Sequence, residues 1–305
     1  MTDERGVQRM ITLNEAEAVK IGFFAVEEKD YSRIFQALDS LTGTAAGFLS
    51  KNEEADVQRI IHSIEGIAKA AAENKMELVT INSALALGKL ARTAAEKGSE
   101  SILSEIFIAI GKLGIAAATN SLETGSKVAA TTLMEIWKFS PQQQSREKII
   151  TFSVILKEIG ASGAKQGTEE VVLNAATGLG EIGKRAVSEN LEFETISTIL
   201  LLEEIGKLAA EKYFDEALSS TALSIEEIGK LALRKGLNEA ALQSQLVLEP
   251  LRVQAEEQLL TNSSIVTEMA LDSLKGTGFT DSEDKVEMFQ EIKDLQTKIQ
   301  STILL

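Results

Sequence analysis

The segment Glu204-Ile205-Gly206-Lys207-Leu208-Ala209 returns 23 residues later as Glu227-Ile228-Gly229-Lys230-Leu231-Ala232, and stands 23 residues earlier as Glu181-Ile182-Gly183-Lys184-Arg185-Ala186. Self-similarity on so short a period constrains folding more than any single motif, because each copy is one element that buries its apolar face only against the next copy. Further copies are Leu87-Gly88-Lys89-Leu90-Ala91 and Ile110-Gly111-Lys112-Leu113-Gly114, with weaker ones at Ile21-Gly22, around Gly43, around Gly66 and at Glu158-Ile159-Gly160. In Glu135-Ile136-Trp137-Lys138 a tryptophan takes the glycine's place. The markers fall at 22, 43, 66, 88, 111, 137, 160, 183, 206 and 229, in steps of 21, 23, 22, 23, 26 and then 23 throughout. Two more steps reach Arg252 and the neighbourhood of Lys275.

Each copy has the marks of an amphipathic helix. Ile196, Ile199, Leu202, Ile205 and Ala209 share one face by their 3-and-4 spacing, with Gly206 among them and Glu203, Glu204 and Lys207 opposite. Asp215 with Glu216, Asn238 with Glu239, and Thr168 with Glu169 and Glu170 are placed to start helices. Gly98, Gly167 and Gly236 are placed to end them in the left-handed conformation. Ala, Leu, Glu and Lys abound, and the chain has only two Pro. A helix-interior glycine costs ~1 kcal/mol against alanine, so its recurrence on the apolar face predicts close approach of a neighbouring helix.

One period holds a helix of roughly 18 residues and a turn of roughly five, which sets consecutive helices antiparallel. Two periods make a hairpin of about 46 residues, and in this the sequence resembles the HEAT/armadillo class of α-solenoids over about residues 10–275, without matching a specific family. The expected fold is all-α, an α-α superhelix of about 12–13 antiparallel helices with one helix per ~23 residues. A right-handed superhelix is what the resemblance implies. Residues 1–275 read as the solenoid, 276–284 as a linker and 285–305 as a C-terminal amphipathic helix capping its open end, with Val286, Phe289, Ile292, Leu295 and Ile299 along one side. The long step falls at Phe139 to Ser145, where Ser140 and Pro141 suit a helix start, and Pro250 is expected to kink or split its helix.

The net charge of −15 disfavours nucleic acid and anionic lipid as partners. The cysteine-free sequence suits a reducing compartment, and neither a signal-like start nor a run of about 20 apolar residues is evident. These features predict a cytoplasmic protein that inserts in no membrane.

No constellation of residues announces chemistry. Gly178-Leu179-Gly180-Glu181-Ile182-Gly183 spells G-x-G-x-x-G but falls inside a helical copy, where a dinucleotide fingerprint requires a strand before it. Gly160, Gly163 and Gly167 lack the Gly-Lys-Ser/Thr ending of a phosphate loop. His62 is the only histidine and reads as structural. Catalytic, cofactor-binding and metal-ligating residues are therefore expected to be none. The regular polar feature is a Glu/Lys ladder at i,i+3 spacing: Glu135/Lys138, Glu181/Lys184, Glu204/Lys207 and Glu227/Lys230. Stacking would align Lys89, Lys112, Lys138, Lys184, Lys207 and Lys230 into a row that an acidic partner could read, or into a self-neutralised solvated face. The expected function is a non-catalytic protein-interaction scaffold or adaptor. The alternative is a regulatory or ligand-sensing repeat protein that controls an enzyme.

Overall fold

In the computed structural model of the chain, which describes residues 14–139, 146–274 and 285–304, every period becomes a helix. They are α1 (Glu15–Glu28), α2 (Tyr31–Ser50), α3 (Glu54–Glu73), α4 (Glu77–Lys97), α5 (Glu100–Thr119), α6 (Glu123–Phe139), α7 (Arg146–Gln166), α8 (Glu169–Ser188), α9 (Glu192–Glu211), α10 (Asp215–Lys235), α11 (Asn238–Glu257), α12 (Thr261–Leu274) and α13 (Lys285–Leu304). Most are 20 or 21 residues long, so the turns are tighter than the sequence suggests. Ser140, Pro141, the 276–284 linker and Lys275 lie outside the described residues. The helix expected to kink or split at Pro250 runs through it unsplit.

The turn explains the period. A residue with positive φ ends the helices at Lys29, Asn52, Lys75, Gly98, Ser121, Gly167, Asn190, Tyr213, Gly236 and Leu259. Consecutive positions differ by 23, and Ser121 to Gly167 by two periods. After each comes one residue whose amide reaches back to the last helical turn: Met76 N to Ala71 O (2.9 Å), Leu191 N to Ala186 O (2.9 Å), Phe214 N to Ala209 O (2.9 Å) and Leu237 N to Ala232 O (2.9 Å). This is the Schellman closure, and its last residue, apolar at Met76, Leu191, Phe214 and Leu237, doubles as the N-cap of the next helix.

That register corrects the marker count. Seven residues before the ten left-handed positions stand Gly22, Ala45, Ala68, Ala91, Gly114, Gly160, Gly183, Gly206, Gly229 and Arg252, and Trp137 falls midway between Gly114 and Gly160, so the eleven are evenly 23 apart. Gly43, Gly66, Gly88 and Gly111 sit two or three places off this register, which produced the uneven steps. The position wants a small residue, and alanine serves at three of the eleven.

From α1 to α12 each helix packs on its neighbours one and two places along the chain, so odd-numbered helices stack in one layer and even-numbered helices in another. The small position is the joint between them. A Cβ on Gly160 would lie 2.7 Å from Ile205 Cδ1 and 2.8 Å from Ala175 Cβ; on Gly206, 2.9 Å from Leu251 Cδ2 and 3.2 Å from Thr221 Cγ2. Gly22 and Gly183 receive Ile67 and Ile228 in the same way. The knob is the Ile or Leu 45 residues on, two helices later, and the third wall is a small residue 15 residues on, in the next helix. The predicted faces follow: Ile196, Ile199, Leu202, Ile205 and Ala209 are all buried.

Two expectations change here. α5 is long and apolar enough to cross a membrane by length and composition, with a window of mean hydropathy 1.7. It has α3 and α7 beside it in its own layer and α4 and α6 in the other, so its apolar surface is core surface. The C-terminal helix covers no open end: α13 lies along α7, with smaller contacts to α5 and α9. Near the end of the stack, α11 carries Arg252 where the small residue belongs, held by Glu249 (2.8 Å) and Glu256.

Candidate interaction site

The layering separates the predicted lysine row. Lys89, Lys138, Lys184 and Lys230 lie on even helices, Lys112 and Lys207 on odd ones, so the six do not form one line. Four are paired. Lys184 bridges Glu181 (2.6 Å) in its own helix and Glu227 (2.9 Å) in α10, and Lys112 reaches Glu65 in α3 (3.7 Å). Lys207 and Lys230 pair with Glu203 (2.6 Å) and Glu226 (2.5 Å) at i,i+4 spacing. Only Glu181/Lys184 keeps the predicted i,i+3 pairing, because Glu204 and Glu227 turn to lysines of neighbouring helices, Lys157 (3.4 Å) and Lys184. At Lys184 burial depresses the ammonium's pKa, but the hydrogen bonds to Glu181 and Glu227 outweigh it and raise the pKa.

The predicted N-caps change in the same sense. The cap residues of α10 and α11 are Phe214 and Leu237, which have no side-chain acceptor. Thr168 keeps the cap place of α8, but its hydroxyl donates back to Gly163 O (3.0 Å). Free amides at these starts are met by a carboxylate two helices earlier. Glu77 accepts from Thr124 N (2.8 Å), Glu169 from Glu216 N (2.9 Å), Glu192 from Glu239 N (2.9 Å) and Asp215 from Ser263 N (2.9 Å). Burial raises the Asp215 pKa, but hydrogen bonds from Ser263 and Asn262 prevail and lower it. Arg59 lowers the pKa of Glu15, and Lys148 that of Glu100. These stitches join successive helices within one layer of the stack and are structural.

The glycine motif is structural as well. Gly178, Gly180 and Gly183 are buried in α8 against Leu156, Ser224 and Ile228. Gly163 faces Val171, and Gly167 is a left-handed cap (φ 79°). His62 is not in the core: it is exposed on α3, with Nε2 3.5 Å from Glu105. Among the described residues no three His, Asp or Glu side chains gather as a metal ion would need.

One place on the even face differs. A groove of about 570 Å³ runs across α2, α4 and α6. Its apolar lining includes Phe35, Leu85 and Phe139, and its rim carries Lys89, Arg92, Asp39, Glu96 and Glu135. None of these five charges takes part in an ion pair among the described residues, unlike the stitched lysines elsewhere. Arg92 lies 5.8 Å from the centre of the Phe139 ring. Lys138, exposed on the same helix as Phe139, forms no ion pair with Glu135 either. Of the predicted row, then, Lys89 borders the groove, with Lys138 beside it. Phe35, Leu85, Arg92 and Phe139 escaped sequence reasoning, which followed only the lysines beside the markers. A signal existed: Leu85, Leu223 and Met269 are exposed and lie whole hairpins apart, by 138 and 46 residues.

No family model matches the chain, and no curated protein does. Among solved structures, the chain is similar to one described as a circular tandem repeat protein with novel repeat topology and enhanced subunit contact surfaces, at 13% identity and a TM-score of 0.35, covering 93% of this chain and 84% of that one. The chain itself is a helical tandem-repeat solenoid, with the HEAT/armadillo-like plan of stacked antiparallel hairpins and no assignment to a family.

Proposed function

We propose that the chain is a non-catalytic protein-interaction scaffold whose even-face groove receives a polypeptide segment. The observation that carries this reading is the unpaired charge around an apolar floor. Rim charges of both signs with no ion-pair partner among the described residues are available to a ligand, and Phe35, Leu85 and Phe139 supply the area an apolar anchor would bury. A matching segment has one or two large apolar side chains flanked by charges of both signs. The net charge of −15 and the absence of cysteine support a cytoplasmic setting away from nucleic acid.

A photo-cross-linking residue at Leu85 tests this in cells of origin, with the same residue at exposed Leu246 as control. The expected result is a saturable adduct from position 85 alone, lost on Arg92→Glu. Equal adducts from both positions, or adducts indifferent to Arg92→Glu, contradict it. The groove's volume also falls within the ~300–1,000 Å³ typical of small-molecule sites, which favours ligand sensing as the second reading. Thermal stabilisation by a metabolite, abolished by Arg92→Glu in the absence of any protein, would select that reading.

A further inference from the structure

Charges on the even face follow two rows. Arg92, Lys138, Lys184 and Lys230 stand 46 residues apart on α4, α6, α8 and α10, and three places before them stand Lys89, Glu135, Glu181 and Glu227. On α6, α8 and α10 the order is acid then base, which favours an ion pair on a helix surface. On α4 a lysine takes the acid's place. Lys89 and Arg92 are both exposed there, so two like charges neighbour each other on one helix face, an arrangement that disfavours the helix.

Lys184 shows what Arg92 forgoes. It is held by Glu181 of its own helix (2.6 Å) and by Glu227 of the next even helix (2.9 Å). In the corresponding places Arg92 has Lys89, which repels it, and Glu135, with which it makes no ion pair among the described residues. Its guanidinium lies instead near the Phe139 ring, another part of the groove lining. On α2 the two rows hold Gly43 and Ala46, which bring no charge, and a Cβ on Gly43 would meet nothing within 4 Å. In a chain of net charge −15, two cations thus stand together without a counter-charge beside an apolar floor. Leu85 lies one turn before Lys89 on the same side, about 6 Å away along the helix axis.

Resting on the reading of this groove as a polypeptide site, we propose that its partner is an acidic segment. Lys89 and Arg92 receive an Asp or Glu carboxylate, and a large apolar side chain about 6 Å from that carboxylate packs against Leu85. A carboxylate suits the rim better than a phosphate. Asp39, Glu96 and Glu135 repel each further negative charge, and a phosphate brings nearly two.

Short random peptides displayed on phage and selected on the full-length chain provide the probe. The selected peptides should place Asp or Glu about two to four residues from Leu, Phe or Met, which spans that distance in an extended or helical segment. Lys89→Glu should weaken a synthetic copy of the tightest peptide at least ~10-fold. A copy with Lys in place of its acid should bind that variant better than it binds the parent chain. The same substitution restores the repeat's acid beside Arg92, so the variant's melting temperature should equal or exceed the parent's. A lower melting temperature overturns the proposal, because Lys89 would then be a structural residue. Peptides that lose affinity on Leu85→Asp but not on Lys89→Glu overturn it while leaving the polypeptide reading in place. Peptides indifferent to both substitutions overturn both. Phosphoserine in place of the acid should weaken binding, and tighter binding overturns the assignment of a carboxylate.

Discussion

The stack from α8 to α10 and the junction of α6 with α7 solve one packing problem in opposite ways. In α8 the register position is Gly183, filled by Ile228 from α10 with Thr198 of α9 as third wall. In α6 the same position is Trp137, and the wall 15 residues on is Phe152. The indole lies 4.9 Å from the Phe152 ring, which meets Phe107 edge-on at 3.9 Å. Arg185 of α8 lies 4.6 Å from the indole centre and donates to the Trp137 carbonyl (2.6 Å). α6 and α7 touch each other less than any consecutive pair from α1 to α12. A glycine position borrows its packing from a neighbour, and a tryptophan supplies its own where the neighbour stands off.

That contrast sets the order of expected effects. Trp137→Gly restores the repeat's residue but removes the indole from its contacts with Phe152 and Arg185, and should cost about 3–5 kcal/mol in urea unfolding. A cost under ~1 kcal/mol would show that α6 has an ordinary joint. Gly206→Leu tests the other solution, since Leu251 and Thr221 occupy the space, and should lower stability by about 1–3 kcal/mol in a thermal or urea melt. Glu169→Ala removes a cap from α10 rather than from its own helix and should cost about 0.5–2 kcal/mol. Faster exchange at Glu216 and Ala217 amides, with α8 unchanged, identifies the effect as cross-helix.

Acid should loosen the same joints. Asp215, Glu15 and Glu100 have folded pKa values below their ordinary ones. Their contribution is fully present above the unfolded carboxylate pKa and is lost as pH falls through the lower folded value. Stability should hold level to about pH 5 and decline below about pH 4. An Asp215→Asn chain should show a shallower decline than the parent in acid melts.

Helix existence, number and buried faces were legible because they depend on apolar periodicity, which the chain states eleven times. The register was harder to read. Tracking glycine gave steps of 21 and 26, because the site demands smallness, and Ala45, Ala68 and Ala91 satisfy it without looking like markers. The turn was hidden for a related reason: only three of ten left-handed positions are glycine, and Tyr213 or Leu259 in such a place announces nothing. Caps at Asp215 and Asn238 were misread because the acceptor comes from 47 residues away, a pairing that stacking alone creates. The lysine row failed for the same cause: alternate helices face opposite ways, so a 23-residue period in sequence is a 46-residue period on either surface. The groove was invisible because it depends on which charges remain unpaired.

The central claim is that the small register position, not glycine as such, holds the array together. Gly160 is in register, and an added Cβ would press on Ala175 Cβ at 2.8 Å, an atom fixed to its backbone. Gly43 is out of register, with nothing within 4 Å. Urea melts of Gly160→Ala and Gly43→Ala, side by side, test the claim most directly. The account predicts opposite signs: a loss of about 1 kcal/mol or more for Gly160→Ala and a gain of about 0.4–1 kcal/mol for Gly43→Ala. Two gains, or two losses, would contradict it.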